Sequence, residues 1–498
     1  MEPNKHYAID LLTRINALQH NGKDISLAFI EGKYSRWAFQ QFFLLSQIEE
    51  FSKTKDFSNY IKRRKPRYGT ISIFFVILFE VVTVFFTILQ IMYVRIHRPR
   101  VITFSSDFLD ASTHLNPRLR NIYSYFHAKN ISYVEILHVT TVRNFLINIW
   151  KRGGLSIYLE AFNTVSRAWT FVSRKTNADD FVKELDLQNI HEDERKFVEY
   201  LIAEAVEKIQ VAKINSVIIQ AFLRFSGVRE YVSADDFRYI PELLLACERE
   251  HIPSYVFQHS NFGYLTGMYL LPPQIYIFPL IFFTWNAYWK RRIKEISPFF
   301  SEYGSRIEIG GRSFTPAQPV QVIRKKLDST RDSISVLIPY EVSVSRDQII
   351  PYTSQLLGDS RIRIFFVLRG TIDQIDYGMQ LDKYFTSEHQ KSPQLVVVEP
   401  SGRQGAVENC NVIAGVYSGF LDESIETGVP ICVFMTDFLT VNRLDEDNLA
   451  STIDYVQGNI YDQLRSACMT PDHILSERRE RVHSGTVDIR KTLQRILE

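Results

Sequence analysis

Apolar positions along the chain fall into three regimes. Up to about residue 60 they recur every three or four positions: LLTRINALQH and WAFQQFFLLSQIEEF read as amphipathic helices near 5–19 and 25–53. Residues 71–94, ISIFFVILFEVVTVFFTILQIMYV, form one apolar run with a single charge, Glu80. As a helix that run is about 36 Å long, enough to cross a bilayer core. From Val101 the text alternates between short apolar runs and amphipathic stretches. VITFSS, ISYVEIL, NSVIIQAFL, PSYVFQHS, IYIFPLIFF and SRIEIGG read as strands, with helical text such as NPRLRNIYSYFHAK and PELLLACEREH between them. The span 142–213 reads as helix throughout.

A polar stretch over 312–333, with Pro316 and Pro319, interrupts this pattern, which then restarts. ISVLIP, RIRIFFVL, QLVVVEP, NVIAGV and VPICVF read as strands, and DQIIPYTSQLLG and SGFLDESIETG as helices. Strands alternating with helices imply βαβ units and parallel sheets. The fold class predicted is α/β: two Rossmann-like, doubly wound domains preceded by a helical, membrane-associating region. The divisions are 1–60, 61–99, 100–311, a linker over 312–333, and 334–498. A final helix over 475–497 is long enough to return to the first half. In open sheets of this kind ligands bind at the carboxyl ends of the strands, so the site is expected between the two halves.

Composition changes this picture in one respect. At 498 residues, 45% hydrophobic and 23% charged, the chain is neither disordered nor, with a mean hydropathy of −0.11, a polytopic membrane protein. The net charge of +2 is unevenly placed: residues 1–100 hold 15 Lys and Arg against 8 Asp and Glu, so the remainder is net negative. Lys62, Arg63, Arg64, Lys65 and Arg67 precede the apolar run, and Arg95, Arg98 and Arg100 follow it. Basic charge beside an apolar helix points to a membrane surface and away from nucleic acid. With both flanks basic, orientation is not fixed, and the helix spans, re-enters or lies in the interface, a buried core helix of a large soluble protein being the plain alternative. In a lipid-exposed helix Glu80 needs a partner or a proton. The first twenty residues lack the apolar core of a cleavable signal. Four scattered cysteines, with no CxxC pair, read as buried free thiols.

The sequence has no P-loop, no G-x-G-x-x-G after a strand, no H-E-x-x-H and no G-x-S-x-G, which argues against the corresponding nucleotidases, dehydrogenases, metalloproteases and serine hydrolases. Asp445-Glu446-Asp447 has an acid-x-acid form, but its polar setting suggests charge at a helix N-terminus. No metal-ligand cluster is apparent. The segment GYLTGMYLLPPQIYIFPLIFF is almost uncharged; its prolines argue against a span, and Met268 and Leu271 are candidates for a loop that dips into a membrane.

The most informative segment is CNVIAGVYSGFLDESIETGVPICVF, residues 410–434. A strand, a turn of small residues (Gly415, Ser418, Gly419) and a helix start follow one another. This presents backbone N–H groups to a diphosphate at a sheet edge. Glu423, one turn on, is placed to accept from ribose hydroxyls. A βαβ turn with Ser418 as cap is the plain alternative. Ser418, Glu423, Gly428 and Pro430 resemble the donor-binding motif of GT-B glycosyltransferases. PSYVFQHSNFGY is similar to the Q-H-G segment of bacterial surface-polysaccharide glycosyltransferases and their polyol-phosphate-transferring relatives: Gln258 and His259 match, and Ser260 replaces the glycine. FTWNAYWKRRIKEISPFFSEYGSRIEIGGRSF fits the same family pattern, ending at Arg312, and Arg369 occupies a place where relatives carry a basic residue.

The resemblance covers about residues 100–490. It implies a glycosyltransferase that moves a sugar from a nucleotide-sugar donor, a co-substrate and not a bound cofactor, to a cell-surface glycan or lipid-linked acceptor. The second half would hold the donor on Ser418, Gly419, Glu423 and Arg369. His259 would act as acid/base, and Arg312 would face the leaving phosphate. Gln258, Asp107 and Asp110 would stand on the acceptor side, the aspartates also suiting Asx turns. The catalytic halves would lie on the cytoplasmic face of a bacterial inner membrane. A CDP-polyol phosphotransferase of the same fold and a non-catalytic membrane-tethered scaffold are the alternatives.

Overall fold

Two parallel sheets organise the chain. The computed structural model describes residues 3–52, 55–64, 70–105, 115–139, 145, 146, 148, 156–173, 178–234, 241–258, 270–296, 298–313, 327, 333–342, 344–370, 376–416, 418–436 and 444–498, with backbone alone for 3–6, 63, 64, 70–77, 173, 296 and 298. The first sheet contains β1 (Val101–Ser105), β2 (Tyr133–Leu137), β3 (Ser156–Tyr158), β4 (Glu230–Ser233), β5 (Ser254–Phe257), β6 (Ile281–Thr284) and β7 (Ile307–Ile309). Its spatial order is β7-β6-β5-β4-β1-β2-β3. The second contains β8 (Ile334–Pro339), β9 (Ile362–Val367), β10 (Leu395–Val398), β11 (Val412–Gly415), β12 (Ile431–Phe434) and β13 (Ser451–Ile453), ordered β10-β9-β8-β11-β12-β13. Every pairing within both sheets is parallel. Both therefore have the doubly wound order in which the chain reverses direction beside the first strand, between β1 and β4 and between β8 and β11.

The strands read as continuous apolar runs because helices cover both sheet faces. NSVIIQAFL is the exception. It lies inside a 35-residue helix, Glu192–Ser226, and the strand comes later, at β4. The β-branched run suggests a strand, but the buried positions around it (Asn215, Ser216, Ile219, Phe222, Leu223, Ser226) keep the spacing of three and four that marks a helix face. Within 25–40 the expected helix is broken up, into one helical turn at Ile25–Ala28, two short strands and a 3-10 turn at Ala38–Gln40, before a helix at Gln41–Ser52.

The N-terminal piece and the first sheet share one core, in which Leu11, Ile15, Trp37 and Phe51 belong to the same cluster as Val94, Ile102, Phe197 and Phe282. Phe51 stacks on Phe197 at 3.9 Å. Arg36 is buried, donating to Glu31 (2.7 Å), the carbonyl of Ala212 (3.2 Å) and Ser216 (2.6 Å). The apolar helix Thr70–His97 lays one side on the first sheet: Phe79, Val82 and Phe86 pack on Leu137, Phe145 and Tyr158. Glu80 is met by Arg167 at 3.3 Å. Residues before and after this helix thus form one body, which a membrane-crossing helix would separate.

Leu271 is buried in that core with Tyr276, Ile277 and Phe278, so Leu271 is an interior residue and not part of a membrane loop, although Pro272, Gln274 and Leu280 are exposed; Met268 lies outside the described residues. All four cysteines are free and buried, and burial pushes the thiols of Cys247 and Cys432 well up.

The two sheets are joined by more than the linker. Trp285, Tyr288 and Trp289, which follow β6, belong to a core cluster with Leu421, Ile425 and Val433 of the second unit. Helix Asp472–His483 lies against helix Ala287–Ile296, and Asn286 donates its side-chain amide to the carbonyl of Val482. The chain then recrosses at Gly311, whose φ of +83° and whose missing Cβ, which would stand 2.2 Å from the carbonyl oxygen of Val487, leave room for nothing larger. Its last helix, Ile489–Leu497, buries Ile489, Leu493 and Leu497 against Ile122 and Phe126 of the first unit.

Candidate functional site

In doubly wound sheets ligands bind where the strand order reverses, at the carboxyl ends of the strands; here that place lies between β8 and β11, and the turn after β11 stands at it. Glu341, two residues past β8 and buried, reaches across. Its carboxylate accepts from the N–H of Val416 (2.9 and 3.1 Å to the two oxygens) and from the N–H of Ser418 (2.7 Å). Gly415 permits this approach, since a Cβ there would stand 3.0 Å from a Glu341 oxygen. The amides after β11 thus form an anion-binding cradle, and an anion of the protein itself sits in it. The expected row of open amides is corrected further along the turn. Phe420 N–H donates to the Ser418 hydroxyl (3.2 Å) and Leu421 N–H to the Ser418 carbonyl (2.9 Å), so Ser418 is also a helix cap.

Cations stand beside this carboxylate. Lys383, on helix Tyr377–Tyr384, donates to the carbonyls of Glu341 (3.1 Å) and Val342 (2.6 Å) and lies 5.2 Å from the centre of the Tyr340 ring. Burial, opposed by the charge of Glu341 and aided by that of Arg369, brings its pKa down to about 8. Arg369 follows β9 at the same sheet edge, where its backbone N–H and C=O are both clamped by Gln380 at 2.9 Å. Tyr384 accepts from the Glu341 N–H at 2.9 Å.

The other expected residues are dispersed. Glu423 pairs with Arg403 at 2.9 Å, and that guanidinium lies 4.1 Å from the centre of the Phe420 ring. Gly419 opens the short helix Gly419–Ser424, which continues as a tighter turn over Ile425–Thr427 and closes at Gly428. Arg312 does stand at the junction of the two units, but at the far end of that helical segment, about 12 Å from Ser418 along the axis. There it pairs with Glu426 at 2.7 Å, with side-chain exposures of 9% and 10%, and lies 5.1 Å from the Trp285 ring centre. Gln258 is fully buried, and its side-chain and backbone carbonyls accept from the Trp285 backbone N–H (3.2 Å) and indole N–H (2.6 Å). His259, Asp107 and Asp110 lie outside the described residues. The acidic run 445–447 is no helix start: it sits in turns ahead of β13, and Asp447 accepts from Tyr288 and pairs with Arg292 (3.2 Å) across the junction. Among the described residues no group of three or more His, Cys, Asp or Glu is arranged to hold a metal.

Glu341 and Lys383 were not expected. An acid two positions beyond the first strand of a doubly wound unit is a sequence signal for the first. The second has none, because its character comes from burial.

No protein-family model and no curated protein matches the sequence. Among solved structures, the chain is similar to MurG of Acinetobacter baumannii (TM-score 0.44, 9% identity, 80% of this chain and 99% of that one). It is similar to UDP-GlcNAc 2-epimerase of Neisseria meningitidis bound to UDP-GlcNAc (0.45, 10%, 80% and 98%). The Methanocaldococcus jannaschii UDP-GlcNAc 2-epimerase gives comparable figures (0.45, 11%, 80% and 98%). These are likenesses of chain path, at a level that assigns neither family nor activity.

Proposed function

We propose that the chain is a nucleotide-sugar-dependent enzyme of the GT-B type, a glycosyltransferase acting on a cell-surface glycan or lipid-linked acceptor at a membrane. The observation that supports this reading is the amide cradle at the β8/β11 reversal, which already holds a carboxylate. Groups that bind a buried carboxylate through two N–H donors have the chemistry to bind a phosphate oxygen. In this reading the donor diphosphate takes the place of the Glu341 carboxylate beside Ser418 and Gly419. Lys383 and Arg369 balance its charge, and stabilise the charge that grows on the leaving phosphate. Glu423, released from Arg403, meets the ribose. The acceptor enters from the first sheet, where His259 is the candidate acid/base and Asp107 and Asp110 flank its path.

A second reading, a non-catalytic scaffold tethered to a membrane, is favoured by the same contacts seen from the other side: Glu341 fills the cradle, and Glu423 and Arg312 have partners. Calorimetry of the full chain with UDP, GDP, CDP and CMP separates the two. The enzyme reading expects one nucleoside diphosphate to bind, and CDP alone would favour polyol-phosphate transfer. Heat signals absent for all four would leave the scaffold.

A further inference from the structure

The outer face of the apolar helix has no protein partner among the described residues. Leu78, Val81, Phe85, Leu89, Met92 and Ile96, spaced three or four apart, are between 44% and 76% exposed. Only 17% of the span Leu78–His97 is buried, so this is not the core helix of a soluble protein, although its length and composition would let it cross a membrane. Helix Leu159–Ser173 packs beside it and continues the surface with Trp169 (65%) and Val172 (78%). Monomeric soluble proteins rarely expose a contiguous patch above about 300–600 Å². Eight half-exposed large side chains on two touching helices amount to that or more.

We infer that this two-helix face docks flat on an anionic lipid surface, with the helix Thr70–His97 lying in the interface and not across it. Three observations select this occupant. The opposite side of the helix is fastened to β2 and β3, and the N-terminal piece shares a core with the first sheet, so the chain cannot place a bilayer between them. The charge is complementary: Arg95 and Arg98 are exposed at one end of the stripe, and the sequence entering the other end reads Lys62-Arg-Arg-Lys-Pro-Arg67. Cations at both ends suit a helix whose two ends sit at headgroup depth. The one acid within the stripe, Glu80, is paired with Arg167, so no uncompensated negative charge faces the lipid. Trp169 and Tyr93, both exposed on these two helices, are residue types that favour the interface. This inference does not rest on the nucleotide-sugar reading.

Flotation of the full chain with vesicles of phosphatidylcholine plus phosphatidylglycerol, and of phosphatidylcholine alone, tests it. Binding is expected to the anionic vesicles and to weaken with salt. The triple variant Val81→Glu/Phe85→Glu/Met92→Glu, with unchanged circular dichroism, is expected to lose about tenfold or more of it. A nitroxide on Phe85→Cys, where the native cysteines are all buried, should report burial in acyl chains, and tags on the two termini should be digested from the same side of sealed vesicles. Tags protected on opposite sides would overturn the inference. So would a folded triple variant that binds as well as the parent, or a parent that ignores vesicles and instead forms a dimer the triple variant abolishes.

Discussion

Replacing Glu341 by alanine isolates the cradle from everything else in the chain. The carboxylate accepts from two backbone N–H groups, those of Val416 and Ser418, through contacts of 2.7–3.1 Å. Hydrogen bonds to a charged group are worth about 1.5–3 kcal/mol each, and Val416 would keep a buried donor without an acceptor. The expected loss is about 3–6 kcal/mol. For a unit of roughly 150–250 residues each kcal/mol lowers Tm by about 2–4 °C, so the melting of the second unit should fall by roughly 6–24 °C. Glu341→Gln keeps the shape and one acceptor and should lose about half as much. Removing the anion also opens the cradle. Inorganic pyrophosphate at about 100 times its Kd should return about 2.7 kcal/mol to the alanine variant and little to the parent. Because Glu341 raises the pKa of Lys383, that amine should titrate below about 8 in the variant. Differential scanning calorimetry with and without pyrophosphate reads the main effect. An alanine variant melting within about 2 °C of the parent, or pyrophosphate shifting both proteins equally, would refute the assignment of an anion site at this turn.

Three further outcomes follow from other contacts. Arg312→Ala should destabilise by about 3–5 kcal/mol, because it leaves the buried Glu426 with only the exposed His483, 3.8 Å away, whereas Arg312→Met/Glu426→Leu should cost much less; denaturant titration of the four proteins of the cycle checks this. Lys383 has a folded pKa of about 8, below its unfolded value, so it binds fewer protons than the unfolded chain between about pH 8 and 10.5. Its contribution to stability should rise with pH through that window, and the stability difference between the parent and Lys383→Met, measured from pH 7 to 10.5, should move in that direction. Truncation at Gly485 removes the side chains of Ile489, Leu493 and Leu497 from the first unit; at about 1.5–3 kcal/mol each, this should lower the stability of that unit by about 4–9 kcal/mol, visible as an early calorimetric transition.

The parallel strands were the most legible part of the fold. ISVLIP and VPICVF are almost the observed β8 and β12, because a strand covered on both faces must be apolar at consecutive positions. Two short edge strands were not legible, although SRIEIGG marked a third, Ile307–Ile309. Ser156–Tyr158 lay hidden in text read as helix, and Ser451–Ile453 has only three residues with a half-polar pattern. The turn at 415–419 was located correctly at the carboxyl end of a strand, but the state of its amides was not, since their partner is 75 residues away in sequence. Periodicity marks Trp285 and Trp289 as buried without saying in which unit's core, and Gln258 ends a strand without showing whether it faces a crevice or, as here, an indole. The carboxylate partners of Arg312 and Arg403 belong to the same category: a charge is legible in sequence, its neutralisation only in three dimensions.

These ties constrain how a donor could enter. Units joined by a small polar interface are free to close around a ligand. Here Trp285 and Trp289 are seated in the core of the second unit, Arg312 is paired across the junction, and the chain recrosses at Gly311 to finish on the first unit. Access to the cradle then depends less on separating the units than on Glu341 leaving the N–H groups of Val416 and Ser418. If that departure costs about 3–6 kcal/mol, the open state is populated at roughly one part in 10²–10⁴, and the apparent affinity of a diphosphate is weakened by the same factor. A ligand that offers only phosphate oxygens exchanges one anion for another and gains little. One that also places hydroxyls on Glu423 and charge beside Lys383 and Arg369 can recover the difference. Nucleoside diphosphates should therefore bind the parent chain more tightly than pyrophosphate does, and both should tighten by a similar factor in Glu341→Ala.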